Sequence, residues 1–317
     1  MQSKRNNIVT SSFTLPITAL VTLLVWMLPA ITDGMQWLGF ALTCVSAYLI
    51  MELNNRNALL RVRSRLMSVT FLVLMLANPM LHAWHVGQLT VVCLLLSYFM
   101  LFASYQKVRP EGYVFHAFLF ISTGSMFYPP LLALVPVVYF CMLFQLRNFT
   151  WRSMMAGLLG LVVPYWLYAA WHIWQNQLDT AFNYLEDWMQ PQWLHADTWS
   201  VHQWVSVGVM MFFALLAFIH LFRTTYDDKI RTRMLSYVMA SFEVVLAAGV
   251  FIFPQHYEVQ MRLFIANSSL IIAHYYALGR GRFFDLWFYI SFWMIVALGI
   301  YNFFFPIDGD VDFYSYY

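Results

Sequence analysis

The stretch "RMLSYVMASFEVVLAAGVFIF", residues 233–253, decides the fold. After Arg233 it runs for twenty residues with a single acidic or basic side chain, Glu243, near the middle. A bilayer core about 30 Å thick needs about 20 mainly apolar residues for one helical crossing, so this stretch is long enough to span a membrane. Comparable runs recur along the chain, separated by short linkers, and 62% of the 317 residues are hydrophobic while 10% are charged. Soluble globular domains carry about 25% charged residues, so the chain reads as an integral membrane protein. Alternating segments of about ten residues, the mark of a membrane β-barrel, are absent, and helices are the other way to satisfy the backbone inside lipid.

The expected fold is therefore all-α: one polytopic helical bundle over residues 1–317, with eleven spans. They are placed at Phe13 to Leu28, Trp37 to Met51, Leu66 to Ala83, Val86 to Ala103, Tyr113 to Tyr128 and Leu131 to Leu146. The others are Ser153 to Trp174, Val201 to Phe222, Met234 to Phe253, Arg262 to Leu278 and Phe284 to Phe305. Pro29, Ala30 and Asp33 make no small-x-small cleavage site, so the first run is expected to be a retained span. Cys44, Cys93 and Cys141 all fall in apolar runs, where core packing is the default role.

Charge placement orients the bundle. Sixteen of the 17 lysines and arginines fall in alternate linkers, and such residues are retained on the cytoplasmic side. The N-terminus is then inside and the C-terminus outside. Asp33, Asp179, Glu186, Asp187, Asp197, Glu258, Asp308, Asp310 and Asp312 lie on the outer side, which makes that face acidic. The fifth and sixth spans, on either side of Pro129 and Pro130, are short for full crossings. Either both cross, or they form a re-entrant hairpin that leaves nine spans and preserves every other assignment. The longest outer segment, about residues 175–200, has no lysine or arginine but carries Trp188, Trp193 and Trp199. Phe182, Leu185, Trp188 and Met189 recur at helical spacing, so an interfacial amphipathic helix is expected there.

Arg262 is the exception to the charge rule. An outer arginine suits a phosphate or carboxylate, because its planar fork bonds bidentately. Glu258 stands four residues earlier, however, in the favourable order for a helical pair. His256 adds a proton donor or acceptor nearby. Glu243 lies where ionisable residues are costly and mark pathways or buried networks, so it is either a proton-coupling group or bonded to a neighbour such as Asn267, Ser268 or Asn78. His82 and His85 in "LHAWH" are read as sharing one helical face at an outer end. Their spacing does not make a metal motif. "DGDVD" lacks the glycine a calcium loop needs next. Asp227 and Asp228 read as solvated or capping residues. No metal, cofactor or nucleic-acid motif is present.

"FLFISTGSMFYPPLLALVPVVYFCMLFQLRNFTWRSMMAGLLGLVVPYWLY" begins at Phe118, and "ELNNRNALLRVRSRL" at Glu52. They resemble a family of polytopic inner-membrane proteins of the Bacteroidota that brings no established activity with it. The residues that carry the resemblance are Tyr128, Pro129, Arg147, Phe149, Trp151, Arg152, Gly160, Pro164 and Tyr165. It implies compartment and lineage: a multi-pass protein of a bacterial inner membrane. The leading functional expectation is a glycosyltransferase- or polymerase-like protein handling a polyprenyl-phosphate-linked glycan in envelope assembly, in contact with membrane lipids. Asp33, Asp197 or His256 would then serve as base, and Arg262, Glu258, Trp188 and Trp193 would bind substrate. The competing readings are a proton-coupled transporter or flippase using Glu243, and a non-enzymatic scaffold of an envelope or secretion complex.

Overall fold

The structure is a computed structural model that describes residues 8–11, 13–30, 34–62, 64–175, 198–279 and 281–304. Among the described residues the long elements are all helical. They are α1 (Thr14–Ala30), α2 (Gly34–Asn57), α3 (Leu66–Leu76), α4 (Gly87–Ala103), α5 (Glu111–Ser125) and α6 (Leu134–Phe144). The series continues with α7 (Trp151–Trp174), α8 (Val201–Thr224), α9 (Ile230–Ile252), α10 (Tyr257–Leu278) and α11 (Arg282–Phe304). Five stretches are long and apolar enough to cross a membrane: α2, α7, α8 with its 3-10 extension to Asp227, α9, and Phe284–Phe304 of α11. Thr14–Trp26, Leu66–Leu76, Gly87–Ala103 and Pro129–Phe144 are shorter apolar helices. The outward faces of α7, α8 and α11 expose Leu159, Trp166, Leu215, Leu286 and Trp293, a surface that hydrocarbon solvates and water does not. The chain is a multi-pass membrane protein.

The most enclosed of the long helices carries polar residues on several faces. From Tyr257 to Ala277 every residue of α10 except Glu258 is buried, including Gln260, Arg262, Asn267, Ser268, Ser269 and His274. It packs against α3, α4, α8 and α9. Lipid does not drive helices together as water does, so polar groups inside a membrane bundle act through interhelical hydrogen bonds. A helix with polar residues on several faces is best placed in the centre. The sequence reading starts this span at Arg262; the helix begins five residues earlier, at Tyr257.

Three helices end alike at one end of the bundle. Asn78, Tyr128 and Phe253 each precede a proline, leave the helical region with φ of −124°, −148° and −122°, and lead into a short 3-10 turn. Proline disfavours the helical region for the residue before it and cannot donate to the previous turn, so the break is local and set by sequence. Consequently α3 stops at Leu76, short of the Ala83 end expected for its span. His82 and His85 do not share a helical face, because Pro79 puts a 3-10 turn where the helix would continue. The turn between α5 and α6 reaches the same end of the bundle as His256: the Tyr128 and His256 rings meet edge to face with centroids 5.8 Å apart.

The opposite end is closed by ion pairs. Arg61 donates from Nε to the buried Asp228 carboxylate and from Nη2 to the Thr224 carbonyl at 2.9 Å. The His274 Nε2 atom lies 3.3 Å from the second Asp228 oxygen. Asp227 is exposed, as the sequence reading has it, but Asp228 is not a solvated residue: it joins the α2–α3 linker to α10. Burial raises the Asp228 carboxyl, and the hydrogen bonds and charges of His274 and Arg61 outweigh that, so its pKa ends below the ordinary value of 3.8.

Candidate functional site

The Pro254 break forms one wall of a polar pocket. At that end, the 198–203 entry to α8, the loop before α4 and the start of α10 enclose a cavity of about 300 Å³. His85, Gln203, His256 and Glu258 bring its polar groups, and Trp199 and Tyr257 bring aromatic walls. Ser200 caps α8 reciprocally with Gln203: the Gln203 amide donates to Ser200 Oγ at 3.4 Å and the Ser200 amide to Gln203 Oε1 at 2.9 Å. The Trp199 indole donates to the Pro254 carbonyl at 3.0 Å and packs edge to face on Tyr257. The proline turn is thereby tied to the entry of α8.

Glu258 is the half-exposed acid of the pocket, at 46%, and it is held from behind by Arg262, which is 1% exposed. Arg262 Nη1 donates to Glu258 Oε2 at 3.1 Å, Nε and Nη2 donate to the Leu81 carbonyl at 3.3 and 3.1 Å, and Nη2 donates to the Ala83 carbonyl at 3.0 Å. Four donor contacts thus go to one carboxylate and two carbonyls freed by the Pro79 break. Arg262 is the anchor of the site and not part of its lining. A cavity of about 10 Å³, room for about one water, lies behind it among Thr43, Ser46 and Gln88.

The two pocket histidines are both pushed toward the neutral form. His85 Nδ1 accepts the Gly87 amide at 3.0 Å, which leaves the proton on Nε2. Burial, and then the Arg262 charge, push the His85 imidazole below its ordinary value, with Glu258 opposing. Burial, and then His85, push His256 down as well. Gly87 makes the approach possible: a Cβ there would lie 2.5 Å from the Val259 side chain. His82 goes elsewhere, stacking on Trp26 with centroids 3.9 Å apart and bonding the Met75 carbonyl through Nε2 at 3.1 Å.

Glu243 lies far from this pocket in a closed network. Ser268 Oγ and Asn267 Nδ2 donate to its two oxygens at 2.5 Å each, and Tyr98 donates to Asn267 Oδ1 at 2.5 Å. Two of the three expected partners are present; Asn78 bonds the Leu74 carbonyl of its own helix instead. Glu243 thereby joins α9 to α10 and, through Asn267, to α4.

The structure brings together His256, Glu258 and Arg262 from the residues singled out in sequence. Asp33, Trp188, Trp193 and Asp197 lie outside the described residues, although Thr198 and Trp199, which follow Asp197 in the chain, line the pocket. Sequence reasoning missed Trp199 and Gln203 as site residues. The signal for them was the repeated residue-proline break, which places one end of several helices in register. Comparison with protein-family models, curated proteins and solved structures finds no match for this chain.

Proposed function

We propose that the chain handles a lipid-linked glycan intermediate at the outer face of a bacterial inner membrane, crossing eleven times with its N-terminus inside. The observation that carries this reading is the polar pocket, with two imidazoles and an anchored carboxylate beside an indole. It lies on the side that the lysine and arginine distribution leaves outside. His256, neutral at pH 7, takes a proton from an acceptor hydroxyl as that oxygen attacks the anomeric carbon and the polyprenyl phosphate departs, while Glu258 accepts hydrogen bonds from the sugar and His85, whose Nδ1 is held by the Gly87 amide, donates from Nε2. Trp199 and Tyr257 give flat apolar walls of the kind a sugar ring packs on. The Phe118 resemblance supports the compartment, and the aromatic outer segment ends at this pocket's wall.

Glu243 needs no part in the reaction under this reading, since both its oxygens already have donors and neither the pocket nor the crevice described below is lined by it. The test is turnover of a polyprenyl-phosphate-linked saccharide by the purified protein in nanodiscs, followed by mass spectrometry of extracted lipid. A general base is worth about 10²–10⁴-fold in rate. His256→Ala is expected to lower turnover by about that factor, and His85→Ala by less. Glu258→Gln is expected to weaken binding with a smaller effect on rate. Absence of both binding and turnover by the native chain, with every saccharide length tried, would sink the proposal.

A further inference from the structure

An apolar crevice adjoins the polar pocket. It measures about 280 Å³ and lies between the α5–α6 turn, α9 and α10, lined by Tyr128, Leu131, Leu134, Leu246, Phe253 and Leu263 among others. The two cavities share a wall. Phe253 lines the crevice while Pro254, Gln255 and His256 line the pocket, and the Tyr128 ring of the crevice meets the His256 ring of the pocket. On its membrane side the crevice is edged by the exposed residues Ala133, Val244, Ala248 and Ile252. Its polar side chain at depth, Gln260, is turned onto α9, with Nε2 donating to the Leu246 carbonyl at 2.9 Å. Gly249 permits this, since a Cβ there would lie 2.0 Å from Gln260 Nε2.

We propose that this crevice holds one hydrocarbon chain, the chain of the same lipid whose phosphate-linked head group sits in the pocket; the inference rests on the function proposed above. A helix with its side chains is about 10–12 Å across, so a cavity of about 280 Å³ admits a chain and excludes a partner helix. Hydrocarbon gains little by leaving lipid for a protein surface that is equally apolar. The crevice therefore selects by shape and by its tether to the head-group pocket, and it sets the register of the sugar against His256.

The probe is a polyprenyl phosphate with a diazirine in the chain, photolysed with the protein in nanodiscs and mapped by peptide mass spectrometry. Labelling of 131–134 and 244–252 is expected, displaced by unlabelled polyprenyl phosphate and not by phosphatidylethanolamine. Ala133→Trp and Ala248→Trp, on opposite exposed edges, are each expected to cut that labelling at least tenfold while leaving binding of a water-soluble sugar phosphate unchanged. Labelling displaced equally by phosphatidylethanolamine, or unchanged in both tryptophan variants, overturns the chain site while leaving the head-group pocket standing. Loss of sugar phosphate binding in the native protein, with crevice labelling intact, counts against the function and not against the presence of a chain.

Discussion

Arg262 shows at the scale of a residue why a charge is tolerated inside the bundle. Its guanidinium is buried, yet each of its donor atoms has an acceptor, and two of the acceptors are carbonyls that the Pro79 break would otherwise leave unpaired. Removing one partner of such an arrangement costs more than the arrangement contributes, because the groups left behind stay desolvated. Arg262→Ala is expected to destabilise the protein by about 2–5 kcal/mol, seen as a lowered thermal midpoint in detergent. Glu258→Gln, at a half-exposed position where solvent screens the pair, is expected to cost about 0–1 kcal/mol. Equal losses from the two variants would mean that the carbonyl contacts carry nothing. The sequence exposed half of this answer: the Glu258–Arg262 spacing is visible in it, whereas Leu81 and Ala83 are 179 or more positions away and invisible to spacing.

At the scale of the element, α10 is fixed at three levels. Glu258 and Arg262 tie its start to the pre-α4 loop, Asn267 and Ser268 tie its middle to Glu243 of α9, and His274 ties its end to Asp228. The last tie has a pH signature. The folded-state pKa of Asp228 is depressed, so its contribution is present above the unfolded value of about 3.8 and is lost as pH falls through the lower folded value. Thermal stability measured from pH 6 to pH 3 is expected to fall less steeply in Asp228→Asn than in the native chain. Identical slopes would place the acid response in other carboxylates. None of this was legible in "TTYDDKI", where two adjacent aspartates look alike and only packing separates the exposed Asp227 from the buried Asp228.

Across the whole molecule, apolar run length predicted the helical, multi-pass class; of the eleven spans expected, five described stretches are long and apolar enough to cross a membrane. Run length did not reveal which helix lies at the centre. Amphipathic reasoning puts a helix with polar residues on several faces at the surface, as in soluble proteins, but in this bundle α10 is enclosed and its polar groups bond to neighbouring helices. The short fifth and sixth spans were ambiguous because length alone does not say which end of the bundle their turn reaches; the Tyr128–His256 contact puts that turn beside the Pro254 turn. Single cysteines in a background lacking Cys44, Cys93 and Cys141 test the topology. With a membrane-impermeant maleimide on intact cells, Gln255→Cys and Phe127→Cys are expected to label from outside and Lys107→Cys only after lysis. Labelling of Phe127→Cys from the cytoplasmic side alone would restore the re-entrant hairpin.

The most direct measurement of the central claim is covalent capture in cells, with a photoreactive amino acid at Gln255 in the wall of the pocket. After illumination, mass spectrometry of the purified protein is predicted to find an adduct containing a polyprenyl phosphate and at least one sugar, diminished in Glu258→Gln. Adducts of phospholipid or of neighbouring proteins alone, with no saccharide, would contradict it.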